Sequence, residues 1–245
     1  MKKEWWNITN YIGKIMVKID IHKAILVNIL RGIYSDPLLR STLGFKGGTA
    51  ALLFYQLPRF SVDLDFDLLD PKKKPDVLAR LKELLPQFGT VREAKEKYFT
   101  LFFLLSYKTG ERNLKIEISK RSQNGHFVPK NHLGISMLVM KEEDMAAGKL
   151  AAVLTRKKFA ASDLYDLWFF LSNRWPINET MVSEKTGLSL SDAFKKAESR
   201  VGSIKKTELL AGLGDLLNEK QKNWAREKLK DELLFQIKLY LESIK

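Results

Sequence analysis

The stretch Val62-Asp63-Leu64-Asp65-Phe66-Asp67-Leu68 alternates apolar and acidic side chains at every step. A period of two marks a half-buried β-strand, because successive side chains leave a strand on opposite faces. Val62, Leu64, Phe66 and Leu68 therefore belong to a core face, while Asp63, Asp65 and Asp67 line the other. Like charges aligned this way repel, more strongly on a partly desolvated face. Two arrangements relieve the repulsion. Either hard carboxylate oxygens hold a divalent cation, Mg²⁺ or Mn²⁺, or the strand faces solvent and its aspartates meet lysines.

Upstream, residues 43–48 read as a short strand that runs into Gly47-Gly48. Residues 49–56 read as a helix that Pro58 ends, since proline lacks the N–H and clashes with the preceding turn. Two glycines let the backbone approach a ligand closely, and free N–H groups at a helix start favour phosphate. Thr49 also suits a plain N-cap. Downstream, Pro75 and Asp76 open a helix that Pro86 or Gly89 closes. Residues 90–107 and 113–120 read as strands separated by a Lys-Thr-Gly-Glu turn at 108–111. Within Lys115-Ile116-Glu117-Ile118 the alternation returns. Glu117 there is a third metal ligand, a general base, or an ordinary surface Glu among Lys115 and Lys120.

Residues 16–33 carry apolar helical spacing. From Ser136 onward nearly everything fits helices: 142–155, 163–171, 191–201, 207–217 and 221–244. In the last, Leu229, Leu233, Ile237, Leu241 and Ile244 form an apolar stripe. The spacing thus predicts an α+β chain, with an α/β core and N-terminal helix over 1–135 and a helical domain over 136–245.

Composition narrows the function classes. The chain has 245 residues with 45% hydrophobic content, fourteen Phe and five Trp, which excludes disorder. At this length about 70% of the unfolded surface can be buried, so a core forms without staples. The absence of Cys excludes disulfide frameworks, thiolate metal sites and Cys nucleophiles, and suits a reducing compartment. Forty-two Lys plus Arg against twenty-nine Asp plus Glu leave a formal charge of +13, which points to a polyanion such as nucleic acid. Glu4, Asn7, Asn10 and Lys14 interrupt any signal-peptide core, and no apolar run approaches the ~20 residues of a membrane helix. A cytoplasmic protein without membrane association is the expectation.

Phe45-Lys46-Gly47-Gly48-Thr49-Ala50, followed by Arg59, Ser61 and Asp63-Leu64-Asp65-Phe66, resembles motif I of the AbiEii/AbiGii nucleotidyltransferase toxins. A second stretch agrees independently. Met145-Ala146-Ala147-Gly148-Lys149, then Arg156-Lys157-Lys158 and Asp163-Leu164-Tyr165-Asp166, resembles the family's lysine helix and its paired-aspartate helix. The resemblance covers about residues 40–172. Two positions depart from it: Ser162 stands where many members carry Arg, and Thr49 replaces the Ser of the general nucleotidyltransferase turn.

Membership in that family implies a polymerase-β-like nucleotidyltransferase fold, a mixed sheet with flanking helices, followed by a C-terminal helical domain. It implies a nucleoside triphosphate bound by Lys46, Gly47, Gly48, Thr49, Arg59, Ser61 and Arg156. Asp63 and Asp65, with Glu117, would hold Mg²⁺ or Mn²⁺, and Lys149, Asp163 and Asp166 would complete the catalytic set. An acceptor hydroxyl, a tRNA 3′ end in related toxins, would attack the α-phosphorus and release pyrophosphate. A cognate antitoxin would be the protein partner.

Plainer roles stand beside these. Lys149, among Ala146, Ala147, Ala151 and Ala152, reaches the triphosphate or snorkels to water. Asp163 is a functional acid or an N-cap after Ser162, and Asp166 is placed to pair Lys149. A non-catalytic RNA- or protein-binding module and a protein-modifying, AMP-adding transferase are the competing functions. No Walker A motif, dinucleotide fingerprint or nucleophile elbow occurs. His22, His126 and His132 have no metal-helix spacing, and Trp5 and Trp6 fit either base stacking or a loosely packed terminus.

Overall fold

The computed structural model describes residues 21–107, 113–121 and 125–244. Trp5 and Trp6, the start of the first helix and the turn at 108–111 lie outside them. Chain contacts divide the molecule into two compact units. The first comprises residues up to 45, 62–122 and 129–138, and the second 46–61, 123–128 and 139–245. The division is therefore discontinuous, with residues 46–61 grouped with the helical part, where the sequence suggests a single cut near 135.

The first unit carries most of a seven-stranded mixed sheet, the end residues of its first, sixth and seventh strands in chain order being grouped with the second. Its strands are β1 (Leu43–Lys46), β2 (Leu64–Leu68), β3 (Thr90–Glu96), β4 (Thr100–Ser106), β5 (Leu114–Ser119), β6 (Phe127–His132) and β7 (Ile135–Met140). Their order across the sheet is β3-β4-β5-β2-β1-β7-β6. β2 runs parallel to β5, and β4 runs antiparallel to both β3 and β5. Helices α1 (residues 21–35), α2 (Pro37–Thr42) and α4 (Lys74–Leu84) belong to the same unit.

Alternation does what it predicts in β2: Leu64 and Phe66 are fully buried, and Val62 and Leu68 nearly so. Phe66 packs against Phe45 with ring centroids 5.3 Å apart. His22 on α1 is buried and bridges two segments of this unit. Its Nε2 lies 2.9 Å from the Val62 carbonyl, which must accept, so Nδ1 accepts from the Tyr107 hydroxyl at 2.7 Å.

Residues 90–107 do not run as one extended length. The chain folds back at 97–99, so two strands form a hairpin whose outer member, β3, is a sheet edge. The pair β6–β7 is absent from the sequence reading. Its turn, Leu133-Gly134, takes positive φ at both residues (51° and 78°), the twist-matched geometry of a two-residue hairpin. A Leu at the first of these positions hides the usual Asn-Gly or Asp-Gly signal.

The second unit is helical. It contains α3 (Gly47–Tyr55), α5 (Glu142–Thr155), α6 (Ala161–Ser172), α7 (Glu179–Thr186), α8 (Leu190–Gly202), α9 (Glu219–Glu227) and α10 (Leu229–Ser243). Leu150, Leu164, Leu167, Phe170, Phe194 and Ile237 form its core. The expected helix over 207–217 is instead a run of turns with two short 3₁₀ segments, because Gly212 sits at φ 70° and Gly214 follows it. The expected helix over 221–244 is two helices, α9 and α10, meeting at Lys228, whose φ of −118° and ψ of −28° distort the turn between them. No helix among the described residues is long and apolar enough to cross a membrane.

Candidate functional site

Within the first unit, Asp63 and Asp65 are half-buried and Asp67 is buried. The parallel register sets Asp65 beside Glu117 and Asp67 beside Ser119, so Glu117 does share the acidic face. Lys115, two residues before Glu117, holds Asp63: its Nζ lies 3.6 Å from Oδ2, and its N–H donates to Oδ1 at 3.3 Å. Metal ligation and lysine pairing were alternatives for this face, and lysine pairing is present at Asp63. Among the described residues no three His, Asp or Glu side chains are grouped to hold one ion. Asp63, Asp65 and Glu117 are thus not a preassembled three-ligand cluster. Two half-exposed carboxylates do suit Mg²⁺, which keeps several waters and takes one or two carboxylates.

Within the second unit, the start of α3 is organised around Arg59. Gly47 takes a left-handed φ of 79° and Lys46 caps the helix through its backbone alone. Thr49 is therefore inside the first turn and is not the N-cap. Its buried hydroxyl donates to Ser61 Oγ at 2.9 Å. A Cβ added at Gly48 would stand 2.5 Å from Arg59 Nη2 and 2.9 Å from Ser61 Oγ. The second glycine is thus required by the protein's own guanidinium, whatever ligand approaches the turn.

Arg59 is buried, and its fork grips Asp166: Nε donates to Oδ1 at 2.5 Å and Nη2 to Oδ2 at 2.7 Å. Its third arm, Nη1, donates to the Phe60 carbonyl at 2.8 Å. Asp166 is fully buried on α6. Lys149, from α5, donates to Asp163 at 2.8 Å and lies 2.8 Å from Asp166 Oδ2. Lys149 thus does pair Asp166, and Asp163, whose helix is capped at Ala160, is no N-cap. Arg156 follows the end of α5, half-exposed, with Nε 3.1 Å from Asp163 Oδ2. A cation from α5 therefore meets Asp163, which is preceded here by Ser162.

Burial alone would raise the Asp166 pKa, but the charges of Lys149 and Arg59 override it and hold the carboxyl below its ordinary range. Burial would lower Lys149, yet Asp163 and Asp166 raise it instead, so its ammonium stays charged. For Arg59, burial again opposes and Asp166 again prevails, keeping the guanidinium charged. Three cations and two carboxylates make up this cluster, which leaves one positive charge in excess next to the N-terminus of α3.

Several groups that hold this arrangement are invisible in the motifs. The Pro58 carbonyl accepts from the Tyr165 hydroxyl at 3.1 Å and from the Gln221 amide, and Phe60 N–H donates to the Leu216 carbonyl at 2.8 Å. Burial pushes the Tyr165 hydroxyl up to about 12, so it remains a donor. Asp144, fully buried at the start of α5, accepts from the backbone N–H of His126 and from the Asn178 amide at 2.6 Å. No sequence spacing signals these contacts, because each joins segments distant along the chain.

A family model described as "Nucleotidyl transferase AbiEii toxin, Type IV TA system" matches residues 28–238. A candidate nucleotidyltransferase of H. pylori is similar in structure, with a TM-score of 0.59 and 23% identity over 91% of this chain and 96% of that one. The structure of JHP933 from Helicobacter pylori gives a TM-score of 0.54 and 20% identity over 92% and 96%. At such identities the likeness establishes the fold. No curated protein matches the chain.

Proposed function

Because the chain belongs to the AbiEii nucleotidyl transferase toxin family, of type IV toxin–antitoxin systems, we propose that it transfers a nucleotide from a nucleoside triphosphate to an acceptor hydroxyl. The acceptor in this reading is RNA, a tRNA 3′ end first among candidates, and a cognate antitoxin is the protein partner.

The observation that carries the reading is the cationic cluster beside the N-terminus of α3. N–H groups there and a net positive charge together favour a polyphosphate. Gly47, Gly48 and Thr49 would donate backbone N–H groups to phosphate oxygens, with Lys46 beside them. Lys149 has three ammonium protons and uses two on Asp163 and Asp166, which leaves one for a phosphate oxygen. Half-exposed Arg156 adds a second cation. Arg59, Ser61 and Asp166 are positioning residues here: Arg59 fixes Asp166, Asp166 fixes Lys149, and Ser61 holds Thr49.

Asp63 and Asp65 would hold a divalent cation, Mg²⁺ or Mn²⁺, which when bound neutralises phosphate charge and acidifies a hydroxyl. Glu117, the register neighbour of Asp65, is assigned the general-base role. The acceptor oxygen bonds to the α-phosphorus, the α–β phosphoanhydride bond breaks, and pyrophosphate leaves with the electron pair. Positioning and charge compensation then supply most of the acceleration.

The test is incubation of the purified protein with α-labelled nucleotides, Mg²⁺ and total RNA. Label should enter the RNA fraction, and both Asp65→Ala and Lys149→Ala should remove it. Labelling that survives Asp65→Ala would overturn the proposed metal ligands. Label confined to the protein fraction would replace RNA with a protein acceptor.

A further inference from the structure

We infer that the tip of the β3–β4 hairpin is a stacking platform for a base of a single-stranded nucleic-acid end. The inference rests on the nucleotidyl-transfer reading for its acceptor and otherwise on the hairpin itself. The tip is Lys97-Tyr98-Phe99. It contains none of Gly, Asn, Asp or Pro, the residues that make tight turns easy, so turn formation does not account for its composition. Tyr98 is 86% exposed and Phe99 46%, the former the most exposed large hydrophobic side chain among the described residues. Their rings contact each other edge to face at 4.4 Å, which leaves ring faces open to a third planar group.

Cations surround the pair. The Arg121 guanidinium lies over Phe99 at 4.1 Å, and Lys97 Nζ lies over Phe102 at 3.2 Å. Nearby, Lys95 pairs with Glu93 at 3.1 Å, and Lys120 and Lys74 share Glu96 at 2.7 and 2.8 Å, so cations outnumber carboxylates here. Open aromatic faces interleaved with cations are what a single strand requires, bases on the rings and phosphates on the charges. An acidic peptide would use the charges but not the ring faces.

The sheet register gives the platform its direction. Asp65 neighbours Glu117, Glu117 neighbours Phe102, and Phe102 neighbours Lys95, so one row crosses four strands on the acidic face. Asp67, Ser119 and Thr100 form the row nearer the tip, and Phe99 accepts from Lys120 N–H just beyond it. With strands ~4.8 Å apart and ~3.3 Å per residue, Phe99 lies about 14 Å and Tyr98 about 16 Å from Asp65. A short strand whose base rests on Tyr98 can therefore present its terminal hydroxyl to the acidic row.

The test measures binding of a fluorescein-labelled twelve-nucleotide RNA of mixed sequence to full-length protein, with binding of labelled nucleoside triphosphate alone as a check of folding. Tyr98→Ala should weaken RNA binding about tenfold and raise the KM for RNA by a similar factor, with kcat retained. Tyr98→Trp should restore both, and Lys97→Ala should lower the salt dependence. RNA affinity within twofold of wild type for Tyr98→Ala would overturn the platform, as would duplex RNA competing as well as single strand. The two readings separate cleanly. If the wild-type protein adds no label to RNA while Tyr98→Ala still loses RNA affinity, nucleotidyl transfer fails and the platform stands. The converse pattern removes only the platform.

Discussion

The cost of Gly48→Ala should depend on its neighbour. In the wild-type protein the new Cβ would meet Arg59 Nη2 at 2.5 Å, about 1 Å inside ordinary contact. The guanidinium cannot yield that distance freely. Its Nη2 donates to Asp166 at 2.7 Å, and a retreat of about 1 Å stretches that bond beyond hydrogen-bonding range. Losing one charge-assisted bond to a fully buried carboxylate costs about 1.5–3 kcal/mol. Against it stands the helix-propensity gain of Ala over Gly, up to about 1 kcal/mol. The net effect is a loss of about 0.5–2 kcal/mol. In an Arg59→Met background the nearer clash is relieved and only the 2.9 Å approach to Ser61 Oγ remains, so Gly48→Ala should lose most of its cost. The coupling between the two sites should be up to about 2 kcal/mol. Urea unfolding followed through Trp168, Trp175 and Trp224, all in the same unit, measures the four-variant cycle. An identical effect of Gly48→Ala in both backgrounds would refute the account of why glycine stands there.

Acid sensitivity should follow Asp166. Its folded pKa is lowered, so the stability it contributes is complete above the unfolded value near ~4 and is lost as pH falls through the folded value. The Tm gap between wild type and Asp166→Asn should therefore narrow below about pH 4, and a constant gap down to pH 2.5 would contradict the assignment. Asp144→Ala should destabilise by about 2–3 kcal/mol, because it strands the His126 N–H and the Asn178 amide. Denaturant midpoints decide this, and a loss under 0.5 kcal/mol, the range of ordinary surface substitutions, would mean that water replaces the carboxylate.

The sequence was most legible where periodicity and local chemistry coincide. The strand Leu64–Leu68 and the helix Glu142–Thr155 emerge from spacing alone, because each buries one face against its own unit. The cluster residues Arg59, Lys149, Asp163 and Asp166 were identifiable through resemblance, and the pairing of Lys149 with Asp166 also through chemistry. What they do to one another was less legible. Gly48 and Arg59 are eleven positions apart and Arg59 and Asp166 more than a hundred, so no local window reveals that one makes room for the other. The missed β6–β7 hairpin has the same cause at shorter range. Leu133 adopts a positive φ that its identity disfavours, and tertiary context supplies what propensity does not.

The segment at 57–61 ties residues beyond 175, which lie outside the two motif stretches, to the charged cluster. The segment has no regular secondary structure, and it follows Gln56 in a left-handed conformation. The Leu57 and Arg59 N–H groups bond locally to Ala51 and Leu57, but the Pro58 carbonyl and Phe60 N–H need partners from elsewhere, since an unpaired buried donor or acceptor costs as much as a lost hydrogen bond. Gln221 in α9, the Leu216 carbonyl and Tyr165 in α6 supply them, while Asp166 fixes the one charged side chain between. Arg59 can hold Asp166, and through it Lys149, only if its own backbone is held. The C-terminal part thus acts on the cluster through Pro58 and Phe60, the residues on either side of Arg59. On that logic Gln221→Ala should shift nucleotide affinity through the placement of Lys149, with the charge of the cluster unaltered. The same substitution in an Arg59→Met protein should then have no further effect on that affinity.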